Sequence, residues 1–543
     1  MDRIPFTTWE ETHANFQVTL PTTFNFGRDV VDAWAKSRPA SHCLIWQNDR
    51  EQKRSFTWSE MSELTNRCAA ALSALGVRKG DRVIVMLPRI PEWQIAMVGC
   101  FKLGAIPIPC IEMLTAKDIA YRAAHSGAGA AITTERSAVK FDDIDGLTVR
   151  LAVGGGDGWT DFDTALRTAP SVFDCDDTAL EDPAALYYTS GSTGLPKGVT
   201  FAARGLFYWR ISGWYWHDFR EDDVVWCTAD TGWSKAGTGT LIAPWSCGAC
   251  AYFYDGAFDP HDRLRRVVDD GVTVFCAAAT EFRHLVEQDL SSFDFSKLRL
   301  TASAGESVNP AVVEAWQRAT GSPLIESYGQ TETLMTIANN ANMEVRPGSM
   351  GRALPGTHLA VLDQENRALP TGEIGQLALK MPNAGMMLGY WDDAERTAAS
   401  YAEFDGERYF LTGDQARLDA DGYAYYEGRT DDIISSAGYR IGPMEVENAL
   451  VEHAAVREAA AVAAPDRERG EVVKAYVVLA SGYAGTDALA QELQTYVKTV
   501  TAPYKYPRLI EFITELPKSP TGKVLRRELK AQAFAKHTVG NSR

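Results

Sequence analysis

Short β-branched runs alternate with helical stretches closed by glycine, and this alternation restricts the possible folds more than any other feature of the chain. Asp81 to Leu87 reads as a buried strand. Pro91 then stands at a first helical position, apolar residues continue to Leu103, Gly104 stops the helix, and Ala105 to Cys110 resumes an apolar run. The rhythm returns at Val272 to Ala277, Thr280 to Gln288, Leu298 to Ala302, Pro310 to Ala319 and Leu324 to Ser327. Strands that are apolar throughout and separated by helices belong to parallel sheets covered on both faces. Beyond about residue 350 the segments shorten and are broken by Gly351, Pro355-Gly356, Pro370-Thr371-Gly372, Asp405-Gly406 and Asp421-Gly422, which predicts mainly antiparallel β structure. After Gly428-Arg429-Thr430-Asp431-Asp432 a new α/β pattern begins, with a helix opening at Pro443, apolar runs near Ala459 to Ala464 and Val472 to Leu479, and a helix from about Ala488 to Val500. The expected fold class is α/β: a large N-terminal domain over residues 1–430, of stacked, mostly parallel sheets with a β-rich subdomain, and a small α+β C-terminal domain over 431–543.

With 45% hydrophobic and 23% charged residues among 543, the chain has the composition of a folded globular protein. Its net charge of −17 denies it the diffuse positive field that phosphate-backbone binding uses, so nucleic acid is not an expected partner. An anionic small molecule would have to be met locally, by a few Lys, Arg or backbone N–H groups. No window approaches about 18 uninterrupted apolar residues, and Met1 to Phe6 shows no basic stretch leading into an apolar one; a cytoplasmic protein without a membrane span is expected. Nine cysteines with scattered spacing do not form a disulfide framework. The close pair Cys247 and Cys250, in an apolar stretch and without a second pair, is expected to be two buried thiols.

The most informative window is Thr189-Ser190-Gly191-Ser192-Thr193-Gly194-Leu195-Pro196-Lys197-Gly198, directly after the strand-like Ala184 to Tyr188. Glycines permit close backbone approach, hydroxyls and N–H groups donate to phosphate oxygens, and a lysine supplies compact positive charge; together they suit a polyphosphate. The nucleoside-triphosphatase loop is excluded: counted from Gly191, Pro196 takes the second glycine's place and Lys197 is followed by Gly198 rather than Ser or Thr.

This loop resembles the phosphate loop of the adenylate-forming superfamily, which includes acyl- and aryl-CoA synthetases, luciferases and the adenylation domains of peptide synthetases. The resemblance continues in order through Tyr328-Gly329-Gln330-Thr331-Glu332, Tyr409-Phe410-Leu411-Thr412-Gly413-Asp414, Gly428-Arg429-Thr430-Asp431-Asp432, Gly438-Tyr439-Arg440-Ile441 and Pro517-Lys518-Ser519-Pro520-Thr521-Gly522-Lys523. It implies two half-reactions: a carboxylate attacks the α-phosphorus of Mg-ATP to give acyl-adenylate and pyrophosphate, and the thiol of coenzyme A then displaces AMP. By the same resemblance Thr189 to Gly194 and Lys197 hold phosphates, and Glu332 is the Mg²⁺ ligand beside Thr331. Tyr328 lies against adenine with Gly305-Glu306-Ser307 lining its other side, and Glu326, Ser327, Gly329 and Gln330 belong to the same nucleotide site. Asp414 accepts from the ribose hydroxyls with Arg429 nearby. Lys523 reaches the carboxylate and α-phosphate, Asp431 is the hinge of a mobile C-terminal domain, and Gly438 and Arg440 border the CoA tunnel.

Within the superfamily the chain is most similar to medium-chain acyl-CoA synthetases, through Phe24-Asn25-Phe26-Gly27, Asp81 to Trp93, and Asp230-Thr231-Gly232-Trp233-Ser234-Lys235 followed by Pro244-Trp245. Acetate-activating relatives carry a pocket-filling tryptophan where this chain has Gly329. A missing indole would leave room for several methylenes, each worth about 0.8 kcal/mol when buried. Acids larger than acetate, medium-chain fatty or aromatic, are therefore expected, with Trp233 as the pocket wall. The chain departs from the family pattern at Thr333, where glycine is frequent, and at Gln415, where a small or apolar residue is usual. A homodimer is compatible with everything in the sequence. Two alternatives stay open: an amino-acid-activating module, which would need an acidic anchor for an α-amino group, and a non-catalytic nucleotide-binding protein on the same fold, which would not need both Lys197 and Lys523.

Overall fold

The computed structural model describes residues 7–175, 177–189, 195–305, 308–340, 342–346, 348–436, 439–466, 469–518 and 524–540. The chain forms two compact units, one of Met1–Pro347, Gly351–Thr357 and Pro382–Ser400, the other of Gly348–Met350, His358–Met381 and Tyr401–Arg543.

In the first unit β1 (Arg82–Val85) leads into helix α1 (Pro91–Leu103), which returns the chain to β2 (Ile106–Pro109). Proline at the first turn and Gly104 at φ +70° bound α1 as the sequence predicts. Every residue of α1 is buried, as a helix without a polar face requires. Its ammonium, Lys102, is held by Asp32 at 2.6 Å and Asn66 at 2.5 Å, the pairing that a buried charge needs. Helix α2 (Ala116–Ser126) opens on a reciprocal cap between Thr115 and Asp118 and leads to β3 (Ala130–Thr134). Strand β1 lies between β2 and β3, and Val149–Val153 and Thr160–Asp161 complete an all-parallel sheet.

Strands β4 (Pro183–Thr189) and β5 (Lys197–Ala202) form an antiparallel hairpin with Thr189 opposite Lys197. A mixed sheet follows, in whose parallel part β6 (Val224–Cys227), β7 (Val274–Ala277), β8 (Leu300–Ala304) and β9 (Leu324–Gln330) pair in that order. Trp226, Phe275, Phe282 and Trp316 anchor its core. β9 runs three residues past the expected end at Ser327 because β10 (Leu334–Ala338) folds back on it antiparallel. The short β11 (Gly389–Tyr390) pairs with β5. All nine cysteines are free, and Cys247 and Cys250 are buried as expected.

In the second unit β12 (Glu407–Leu418) and β13 (Ala424–Arg429) are antiparallel, as the turn-rich texture predicts, with Asp414 opposite Arg429. Helix α3 (Pro443–Val451), the long antiparallel pair β14 (Val456–Asp466) and β15 (Gly470–Leu479), and helix α4 (Asp487–Val500) follow. Alternate residues of this pair face two cores: Ala461, Val473 and Ala475 meet Val446, Leu450 and Leu493 of α3 and α4, while Ala460, Val472 and Tyr476 meet Leu529 and Ala533 of the last helix. These two units are set by packing.

Close approach of β13 to the start of α3 explains one glycine and creates one perturbed acid. A Cβ on Gly442 would overlap the Glu427 carbonyl, so only glycine fits. The Glu427 side chain is buried, and this burial, reinforced by the Glu445 carboxylate, pushes its carboxyl up to about 7 against the opposing pull of Arg417, 3.1 Å away, and Lys505. An unfolded glutamate releases its proton near 4.5, so between 4.5 and about 7 the folded chain binds the extra proton and stability falls as pH rises through that window. Glu427→Gln, which cannot ionise, is expected to gain stability over the parent by on the order of 2 kcal/mol at pH 8, with the gap shrinking as pH falls toward 4.5. Unfolding midpoints of both proteins at pH 5 and pH 8 check it; an equal gap at both would refute the perturbed acid.

Candidate active site

The β4–β5 hairpin brings the proposed phosphate-loop lysine, itself half-buried, into a triad with two buried partners. Lys197 Nζ lies 2.5 Å from Glu332 Oε1 and 2.9 Å from Tyr390 Oη, and Tyr390 Oη donates to the same Glu332 oxygen at 2.9 Å. The ammonium also stands 4.6 Å from the Tyr390 ring centroid, within cation–π range. Burial, then the Glu332 charge, raises the Tyr390 phenol well above its usual value, so it stays a hydrogen-bond donor. Thr189 Oγ1 at the base of the loop is buried and finds no hydrogen-bond partner among the described residues. Ser190, Gly191, Ser192, Thr193 and Gly194 lie outside the described residues.

Glu332 arrives from the β9–β10 hairpin. Because β9 is a parallel strand on β8, its C-terminal end is where such sheets present ligand-binding residues. Glu326, Ser327, Tyr328, Gly329 and Gln330 lie along that strand, with Tyr328 buried. Glu326 Oε1 accepts from Val308 N at 2.7 Å, and Thr331 Oγ1 meets Ser234 Oγ at 3.1 Å. Thr333 is explained by the turn: its hydroxyl accepts from Gln330 N at 3.0 Å and donates to Leu334 O at 2.9 Å. Gly305 follows β8 at φ +94° with open space in its Cβ direction, while Glu306 and Ser307 lie outside the described residues. Lys235 donates to Ala304 O at 3.0 Å, placing an ammonium beside Gly305. Trp233 is half-buried just before the Ser234–Gly239 helix.

Gly329 requires a correction. Its Cβ direction is filled by the β10 backbone: an added Cβ would overlap the Leu334 carbonyl and stand 2.8 Å from Met335 Cα. The glycine is thus accounted for by strand packing, and the missing indole does not by itself open an acid pocket. Gly329→Ala is expected to cost about 3 kcal/mol, at the upper end of overpacking, because backbone rather than a flexible side chain must yield. A thermal midpoint within 1 °C or so of the parent would show that the hairpin relaxes freely.

In the second unit Arg429 NH1 lies 3.0 Å from Asp414 Oδ1, so these two residues meet across β12 and β13, with Asp414 buried. Gln415 Nε2 donates to Thr430 Oγ1 at 3.0 Å, tying β12 to the turn after β13; this accounts for a buried amide where a small or apolar residue is expected. The backbone places Asp431 in the Thr430–Asp432 turn and Arg440 on the Tyr439–Ile441 strand. Gly438 and Lys523 lie outside the described residues.

Hydroxyl-poor Gly389-Tyr390-Trp391 gives no local signal of a site, and Tyr390 joins Lys197 only because β11 pairs with β5. Lys235 ends the Asp230 to Lys235 stretch that carries the family resemblance, where nothing but its charge sets it apart. The family model for the AMP-binding enzyme matches residues 31–391, which contain the whole triad. The chain belongs to the AMP-binding enzyme family. That family's C-terminal domain model matches residues 445–523. Among its relatives this AMP-binding enzyme is 39% identical to acyl-coenzyme A synthetase ACSM3, mitochondrial, of Mus musculus, over 97% of this chain and 94% of that one. The anthranilate CoA ligase AuaEII, solved in complex with anthranoyl-AMP, superimposes with a TM-score of 0.87 at 30% identity, covering 96% of this chain and 99% of its own. A benzoate CoA ligase from Burkholderia xenovorans LB400 gives 0.83 at 28% identity, covering 93% and 100%.

Proposed function

We propose that this AMP-binding enzyme is an AMP-forming acid–CoA ligase acting on a medium-chain fatty or aromatic acid. The observation that carries the reading is the Lys197–Tyr390–Glu332 triad at the foot of the phosphate hairpin. A carboxylate oxygen attacks the α-phosphorus of ATP and pyrophosphate leaves. The CoA sulfur then attacks the acyl carbon and AMP leaves. ATP and CoA are the co-substrates. The acid is read from relatives whose names specify acyl, anthranilate and benzoate ligases, with Trp233 as the wall against which it packs.

Such transfer is chiefly a matter of positioning and of stabilising charge. Lys197 and the loop hydroxyls would hold the β- and γ-phosphates, Tyr328 the adenine and Asp414 the ribose. Glu332 fits a Mg²⁺ ion delivered with the nucleotide: it offers a hard carboxylate oxygen, and Mg²⁺ is usually held by one or two carboxylates plus substrate phosphates. Among the described residues no cluster of three or more His, Cys, Asp or Glu stands ready for a resident metal. When bound, the ion would neutralise phosphate charge. Lys523 would enter for the first half-reaction and leave for the second by rotation of residues 431–543 about Asp431, after which Gly438 and Arg440 would border the pantetheine path.

A cytoplasmic site of action is part of this reading, supported by nine free cysteines, which suit a reducing compartment. No described helix is long and apolar enough to cross a membrane. Fractionation decides the compartment, and sedimentation decides between monomer and homodimer. The activity is tested by CoA-thioester formation and pyrophosphate release with acids from C2 to C12, benzoate, anthranilate and amino acids. Release with C6 to C10 or aromatic acids is expected; nucleotide binding without release for any acid would overturn the reading, as would release confined to amino acids.

A further inference from the structure

We propose that Tyr121 and His125, one turn apart on α2, are positioning residues that clamp both legs of the β4–β5 phosphate hairpin. The inference deepens the proposed function and rests on it. Tyr121 Oη donates to Pro196 O at 2.9 Å on the outgoing leg, and His125 Nδ1 is 2.8 Å from Tyr188 Oη on the incoming leg. The two bonds fall immediately outside the hydroxyl-rich sequence Ser190 to Gly194: Tyr188 precedes Ser190 by two residues and Pro196 follows Gly194 by two.

Spacing i, i+4 sets both side chains on one face of α2. Their rings stack at 5.4 Å, and Tyr121 packs edge-on against Tyr188 at 6.3 Å, while the Arg122 guanidinium lies 5.4 Å from the Tyr188 ring. Helix α2 is itself fixed by its reciprocal cap and by Gly127 at φ +64°. The opposite edge of β5 is held by β11, where Trp391 N donates to Gly198 O at 2.7 Å. The hairpin is therefore gripped from both sides at its base.

A loop that must wrap a triphosphate binds more tightly if its ends are fixed beforehand, because less freedom is lost on binding. The clamp should thus act on ATP, whose β- and γ-phosphates meet the loop, and be indifferent to acyl-adenylate, which has neither. No contact with nucleotide is required of either residue.

Tyr121→Phe removes one hydroxyl and keeps the ring. The expected result is a rise of roughly 3- to 10-fold in the KM for ATP in acid-dependent pyrophosphate exchange, the span of one lost hydrogen bond. Thioester formation from supplied acyl-adenylate and CoA is expected to stay at the parent rate. Tyr188→Phe, which breaks the other bond from the hairpin side, is expected to give the same split and serves if the first variant folds poorly. Unchanged KM for ATP in both variants, or an equal loss in both half-reactions, would overturn the clamp. A parent protein that releases no pyrophosphate with any acid would instead overturn the ligase reading.

Discussion

Lys523→Ala is expected to lose acid-dependent pyrophosphate exchange by on the order of 10² to 10³-fold while still converting supplied acyl-adenylate and CoA into thioester. The asymmetry follows from charge. In the first half-reaction an anionic carboxylate approaches an anionic α-phosphate, and negative charge accumulates on the phosphate oxygens as the new bond forms. An ammonium placed there opposes that repulsion only while the bond is forming, so it lowers the barrier more than it tightens ground-state binding. In the second half-reaction the electrophile is a neutral acyl carbon and AMP is already a good leaving group, so the same ammonium has little left to stabilise. Lys523→Arg separates charge from shape: a planar guanidinium keeps the charge but not the compact point donor, and intermediate exchange activity is expected. Equal loss of both half-reactions in Lys523→Ala would refute the assignment, as would exchange at the parent rate.

What was legible in the sequence was whatever is punctuated locally. Pro91 and Gly104 bound α1 because a proline without N–H and a glycine in the left-handed region act on their own neighbours, whatever the tertiary fold. The parallel strands were readable because burial on both faces leaves them predominantly apolar. What escaped was set by pairing between distant strands. Tyr390 completes the Lys197–Glu332 pair only through β11 on β5, and its own neighbours carry no phosphate-binding character. Gly329 looked like an open pocket because a residue type was compared without the strand beside it; β10 occupies the space. Thr333 departs from the family pattern for a local reason, its hydroxyl satisfying the Gln330 N–H three residues back, whereas Gln415 reaches Thr430 across a strand end. Tyr121 and His125 read as ordinary helix positions until the hairpin is placed against them.

Glu332→Gln is expected to lower pyrophosphate exchange by about 10²-fold and to move its Mg²⁺ dependence to higher concentration. One carboxylate oxygen here receives both Lys197 and Tyr390, so without nucleotide the carboxylate neutralises the ammonium in a pocket where Glu332 itself is buried. On the proposed reading, ATP binding with its metal would exchange partners: the phosphates would take the Lys197 ammonium, and the Glu332 carboxylate would be left to hold the metal. Each charge then finds a counter-charge both before and after, which keeps the cost of burying either one low. Glutamine keeps the shape and can still accept from Tyr390, but it offers no charge to either cation. Tyr390→Phe removes only the second donor and keeps the ring beside the ammonium, so a smaller loss, roughly 3- to 10-fold, is expected with an unchanged Mg²⁺ curve. Metal titrations of the two variants against the parent distinguish the roles of the carboxylate. A large loss in Glu332→Gln with the parent's Mg²⁺ curve would mean that Glu332 serves only to hold Lys197, and parent-level exchange would remove it from the site altogether.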